Sequence, residues 1–357
     1  MAYATIDKGS NYFNTVLYAG ASGTQAVTGV GFKPDFVWIK NRSITADHQN
    51  YDIIRGTGTG GPLSVDSDDK QGFGTTVGSP AQYGYLSAFG SDGFTVVAGS
   101  VGGNFVNSSG NNFASWNWLA ANSTTSNTNG SITSTVSANQ TAGFSIITYT
   151  GTGSAATVGH GLGVAPSMIL LKIRSAVDAW IVYSKSLGNT KIMVLNSTAA
   201  VNTRADWNNT SPTSSVFSIG TFSNENTNAA TYVAYCFAEV KGYSKFGSYT
   251  GNGSADGTFI YTGFKPAFLI VKESSSAGNN WQIGDNKRNG YNVIAPRLEA
   301  STSASEYTNL SWVDFVSNGF KIRSSDGAFN TSSNTYIYMA FAENPFVLTD
   351  GTPVTAR

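Results

Sequence analysis

Two histidines, one cysteine and 21 acidic residues are the imidazole, thiol and carboxyl groups that this chain offers for proton transfer, metal binding or nucleophilic attack. His48 lies in Asp47-His48-Gln49-Asn50-Tyr51-Asp52 and His160 in Gly159-His160-Gly161-Leu162-Gly163. So few imidazoles give a His-rich metal centre or a Ser-His-Asp triad very little to draw on. His160 reads as a turn residue. His48 and Tyr51 sit in a polar turn suited to contact with a sugar or a neighbouring subunit, and Trp207 is a third candidate for such a contact. Asp66, Asp68 and Asp69 could offer oxygen ligands to Ca²⁺, but their loop lacks the glycine and distal glutamate of a calcium loop, so a solvated turn is expected. Glu239 and Glu343 invite the paired-carboxylate chemistry of glycoside hydrolysis. They occupy the same place, after Phe-Ala, in two copies of a repeated unit, which favours a structural role at a strand end. Strings such as Gly56-Thr57-Gly58-Thr59-Gly60-Gly61 open no helix and read as turns rather than phosphate cradles. The seven tryptophans could stack on sugar faces, yet most stand at repeated strand positions and read as core. Cys236 stands alone in an apolar run, so no intrachain disulfide forms and a buried side chain is expected. No catalytic residue, metal ligand or cofactor is assigned.

The elements that would position these residues are written three times. Gly31-Phe32-Lys33-Pro34-Asp35-Phe36-Val37-Trp38-Ile39-Lys40 recurs as Gly163-Val164-Ala165-Pro166-Ser167-Met168-Ile169-Leu170-Leu171-Lys172 and as Gly263-Phe264-Lys265-Pro266-Ala267-Phe268-Leu269-Ile270-Val271-Lys272. Tyr18, Tyr149 and Tyr249 precede the signature prolines by 16, 17 and 17 residues. The four-residue apolar run after each proline predicts a strand buried on both faces, with the proline as its first residue. Each copy closes on an aromatic strand around Trp116, Tyr235 and Tyr338. Short strands bounded by Gly, Asn, Ser and Pro recur, and no segment shows a capped 3.6-residue period. The fold class expected is all-β, as three tandem β-sandwich repeats of jelly-roll type. The expected domains are 1–121, 141–243 and 244–357, the last ending in a short tail. Residues 122–140 are rich in Ser, Thr and Asn and read as a linker with too little apolar surface for a core.

At 357 residues the chain is long enough for two or three cores. Charged residues make up only 12% and the formal net charge is zero, so no basic stripe is available for a phosphate backbone and no nucleic-acid partner is expected. Little self-repulsion suits a protein that associates. The N-terminus has no basic or apolar leader segment, and no apolar stretch is long enough to span a membrane as a helix. These features predict synthesis in a cytoplasm without a signal peptide and without membrane insertion.

Through residues 12–18, 31–43, 158–166 and 336–346 the chain resembles a family of uncharacterised proteins of tailed bacteriophages of marine and cyanobacterial hosts, labelled virion structural or tail-fibre proteins. The resemblance covers nearly the whole chain and brings no catalytic residues with it. It implies a non-enzymatic virion component, a tail fibre or appendage or a capsid-surface decoration, with other virion proteins as partners. A homo-oligomer is expected from the symmetry of such particles. A host surface glycan is the alternative partner, bound by a carbohydrate-recognition module; a polysaccharide-degrading enzyme is the less favoured third reading.

Overall fold

The computed structural model describes residues 4–72 and 78–354, so the first three residues of the N-terminus read above for a leader lie outside the described part. The chain is all-β and its sheets are antiparallel. One strand order occurs three times. An opening strand (Phe13–Ala19, Phe144–Thr150, Ser244–Thr250) pairs with the closing strand of the same unit (Asn112–Trp118, Thr231–Phe237, Thr335–Pro345). The closing strand pairs on its other side with the signature strand (Phe36–Asn41, Met168–Ile173, Phe264–Glu273). Two further strands follow outward in each unit, Gln49–Asp52 and Leu63–Ser64, Ile181–Ser184 and Lys191–Val194, Gln282–Asp285 and Leu298–Glu299. A second sheet of two or three strands accompanies each large one; Thr24–Thr28, Gly93–Val97 and Tyr85–Gly90 form the first.

The signature runs are buried throughout because their side chains alternate between two cores. Val37 and Ile39 point toward the small sheet, joining Val27, Phe94 and Val96. Phe36 and Trp38 point the other way, into a cluster that takes residues from all three units. At its centre Trp118 lies 6.3 Å from Phe237 and 5.8 Å from Phe341, ring to ring, and Phe237 lies 6.0 Å from Phe341. These rings hold the same place in the three closing strands, so the large sheets face one another around a shared aromatic centre.

Each repeated tyrosine locks a turn within its own unit. The hydroxyls of Tyr18, Tyr149 and Tyr249 donate to the carbonyls of Val106, Glu225 and Phe329 at 2.7–2.8 Å. Their rings stack on Phe113, Tyr232 and Tyr336 at 5.0–5.1 Å. The next residue in each case is a buried asparagine. Asn107, Asn226 and Asn330 accept from the backbone N–H of Ala21, Thr152 and Asn252 and donate to the carbonyls of Gly23, Ser154 and Ser254.

Two expectations are corrected. Residues 122–140 are not a bare linker, because Thr125–Asn127 and Ser134–Asn139 add two strands to the edge of the second large sheet. An edge strand needs apolar residues only on its inner face, and Val136, with Ala138 partly buried, suffices. The signature proline is not the first strand residue. Pro34 and Pro166 lie two residues before their strands, and Pro266 lies inside one, at a register shift where a missing N–H does no harm.

Because the central cluster takes side chains from all three units, unfolding of any one exposes the others' inner faces. Calorimetry is expected to show a single cooperative transition, and Trp118→Ala to lower the stability of the whole by about 3–5 kcal/mol; three separable transitions would contradict the shared core.

Candidate functional site

The buried charged residues are concentrated where the three units meet. The penultimate residue of each signature strand is a lysine, Lys40, Lys172 or Lys272, whose side chain is fully buried. Their ammonium groups donate to the carbonyls of Ser303, Asp68 and Thr198, at 3.1, 2.8 and 3.3 Å, each in a neighbouring unit. The same three carbonyls accept a backbone N–H from Ala46, Asp178 and Gly278 at 2.9–3.0 Å. Three residues further on, the N–H groups of Glu306, Gln71 and Val201 donate back to the carbonyls of Arg42, Arg174 and Ser274. The first unit therefore grips the third, the second grips the first and the third grips the second, which closes a ring. Burial pushes each lysine down to about 8, against the pull of nearby carboxylates such as Asp66, Asp178 and Glu273.

A second set of contacts runs around the ring in the same sense. The Tyr235 hydroxyl donates to Asp52 Oδ2 at 2.7 Å and accepts from Arg55 Nη2 at 2.9 Å, while Arg55 Nε donates to the same carboxylate at 2.5 Å. At the next junction Trp116 Nε1 donates to Asp285 Oδ2 at 3.1 Å, and Arg288 Nε donates there at 2.7 Å. Both ion pairs have no exposed side-chain surface. The third junction has no charged pair in the same places, with Ser184 and Leu187 replacing the pair and Met339 replacing the aromatic donor.

His48 belongs to a third set. It stands immediately before the strand Gln49–Asp52, as Trp180 and Trp281 stand before the matching strands. The Trp180 and Trp281 indoles donate to Ser64 O and Val194 O at 2.8 and 2.9 Å. His48 Nε2 lies 3.0 Å from Glu299 O, and its Nδ1 accepts from Trp38 Nε1 at 2.9 Å, which places the proton on Nε2. Burial, with Lys40 nearby, pushes its pKa well down, so the ring is neutral.

A family profile described as a domain of unknown function, DUF7483, matches residues 8–345. The chain belongs to that family. No curated protein and no solved structure matches it.

The three residues expected to meet a glycan or another subunit are all buried in the DUF7483 fold. His48 is the junction donor just described. Tyr51 lies between the two sheets of the first unit. Trp207 donates to Lys191 O at 3.1 Å and packs edge-on against Tyr183 at 5.5 Å. None presents surface to a ligand, because a ring that completes a repeated core position is covered by the neighbouring layer. His160 pins its own turn, with Nε2 3.1 Å from Thr213 O and Nδ1 accepting the Leu162 N–H. Glu239 and Glu343 pair on the surface with Lys245 and Lys265 at 2.7 and 2.8 Å. Asp66 is folded inward, accepting from His48 N and Ser64 Oγ at 2.8 and 3.0 Å. No three or more His, Cys, Asp or Glu side chains among the described residues are placed to hold a metal ion, and no helix among them is long and apolar enough to cross a membrane.

Two buried acid pairs were not foreseen. Asp47 lies beside Asp66, and burial together with that neighbour raises its pKa. Glu225 is raised to about 8 by burial and by Asp206.

Open surface with recognition chemistry lies in the third unit. A cleft of about 520 Å³ is lined by Lys265, Asn286, Asn289, Tyr291, Asn292 and Phe315, and a second of about 250 Å³ shares Asn286 with it. The sequence carried a sign of the lysine clamps, since a lysine closes the apolar run in every copy. It carried none of the cleft, whose Tyr291 has no aromatic counterpart in the matching loops of the other two units.

Two measurements check the junctions. Arg55→Met leaves a buried carboxylate unpaired and is expected to cost about 3–5 kcal/mol in chemical denaturation. Asp52→Ser with Arg55→Leu, copying Ser184 and Leu187, is expected to recover most of that loss; a double variant as unstable as the single one would contradict the account.

The pH dependence follows from the buried groups. Glu225 is raised in the fold, so its contribution is full at low pH and is lost as pH rises toward 8. The lysines are lowered, so the unfolded chain holds more protons between about pH 8 and 10.5 and stability rises across that window. Melting temperature between pH 7 and 10 is expected to pass through a minimum near pH 8, with a shallower alkaline rise in Lys272→Met.

Proposed function

We propose that this chain is a non-enzymatic structural protein of a virus particle, carried as a tail appendage or as a shell decoration and assembled with other virion proteins. The observation that carries the reading is the closed ring of junctions. The recurrent lysines, two buried Asp–Arg pairs and His48 all hold one unit against the next, so this ionisable chemistry serves a rigid body. The bacteriophage resemblance carried by the signature segments supports the location.

Assembly with further copies or partners has a structural opening. In the second unit the opening strand Phe144–Thr150 is covered by Ser134–Asn139, and its Ile147 is fully buried. In the first and third units the opening strands end their sheets, and the matching Val16 and Gly247 stay partly exposed. An uncovered edge offers unpaired N–H and C=O groups to another strand.

Cryo-electron microscopy of purified particles of the source virus tests the proposal. Density for this three-unit body at the tail or on the shell is expected; particles lacking the protein would overturn it.

A further inference from the structure

We propose that the larger of the two clefts of the third unit forms a binding site for a neutral saccharide. The loop from Asn286 to Asn292 is held at both ends. Arg288 is anchored inward on Asp285 and donates to Ile283 O at 2.8 Å, and the Asn292 side chain both donates to Phe315 O and accepts from Phe315 N at 2.9 Å. Asn289 adds an internal bond to Val293 O at 3.3 Å. Loop entropy is thereby settled before any ligand arrives.

On this fixed loop Tyr291 is 85% exposed, the most exposed large ring of the described residues. The matching loops of the other units, Ile53 to Gly58 and Lys185 to Thr190, carry no aromatic residue. Asn286 shares the larger cleft with Tyr291 and also lines the smaller one, and its Oδ1 is buried without a hydrogen-bond partner although its backbone N–H is satisfied by Ala267 O at 3.0 Å. A buried acceptor left unpaired costs free energy that a ligand hydroxyl would recover.

The ligand class follows from charge and shape. Lys265 and Glu343 pair with each other at 2.8 Å, so the cleft offers no free charge at that position for an anion. What remains in the larger cleft is a flat ring with amide donors and acceptors, in a volume within the usual range of ligand sites, whereas Lys8 and Lys287 line the smaller cleft beside it. A sugar ring presents an apolar face to stack on Tyr291 and hydroxyls to meet Asn286. This site does not depend on where the protein is carried, so its failure would leave the particle assignment standing.

The test is affinity electrophoresis of the full chain through gels cast with dextran, mannan or galactan, with alginate as the anionic comparison. Retardation by at least one neutral polymer is expected. Tyr291→Ala should weaken it by about tenfold or more, Tyr291→Phe should retain it, and Asn286→Leu should abolish it. Circular dichroism and melting temperature should match the parent chain for both Tyr291 variants, whose side chain lies outside the core. No retardation by any neutral polymer, retardation by alginate alone, or retardation unchanged in Tyr291→Ala would overturn the proposal.

Discussion

Each large sheet is apolar on both faces, and its small partner sheet covers only one. That imbalance governs the architecture. Phe36, Trp38, Trp116 and Trp118 in the first unit would remain in water if the unit stood alone, and the matching residues of the other units face the same problem. Burying three such faces on one another removes all of them from solvent at once. At roughly 25 cal/mol per Å² of apolar surface, a handful of rings of this size outweighs the polar costs incurred at the junctions. The two-layer unit and the three-unit body are therefore one solution.

Apolar faces alone do not fix how three units turn relative to one another. The junction contacts do, because each needs a particular donor opposite a particular acceptor. A desolvated ammonium is tolerable only where carbonyls receive it, so Lys40, Lys172 and Lys272 are satisfied in one arrangement and penalised when the units slip. Buried ion pairs add little net stability but make wrong packings costly. The uncharged third junction, with Ser184, Leu187 and Met339, fits this account: two directional pairs already define the rotation, and the third position is free to pack without one.

The sequence made the strands legible and their assembly much less so. Alternation, turn residues and the threefold recurrence of the signature pointed to an all-β chain, because strand pairing is written in local pattern. The shared core was hidden, since a run such as Phe36 to Ile39 reads the same whether its second face meets a sheet of its own unit or of another. The lysine after each run was visible yet undervalued, because a terminal lysine is ordinarily solvated. His48 misled for a related reason: a polar turn sequence conceals that the residue stands in the place of Trp180 and Trp281. The segment 122–140 was read from composition, which misses a strand whose inner face needs only Val136.

Joining three similar units in one chain has a consequence that separate identical subunits do not share. In a symmetric trimer every substitution appears three times, so an exposed tyrosine on a pinned loop would be displayed in triplicate. Here the lysines that close the ring recur while loops beyond them diverge, and an exposed tyrosine occurs in only one of the three matching loops. The second unit has diverged elsewhere, using residues 125–139 to cover an edge that the first and third leave open. The lysine clamp recurs at every junction, while the ion pair and its aromatic donor recur at two of the three. The ring thus separates positions that recur from positions free to acquire a role, and the cleft at Tyr291 lies among the latter.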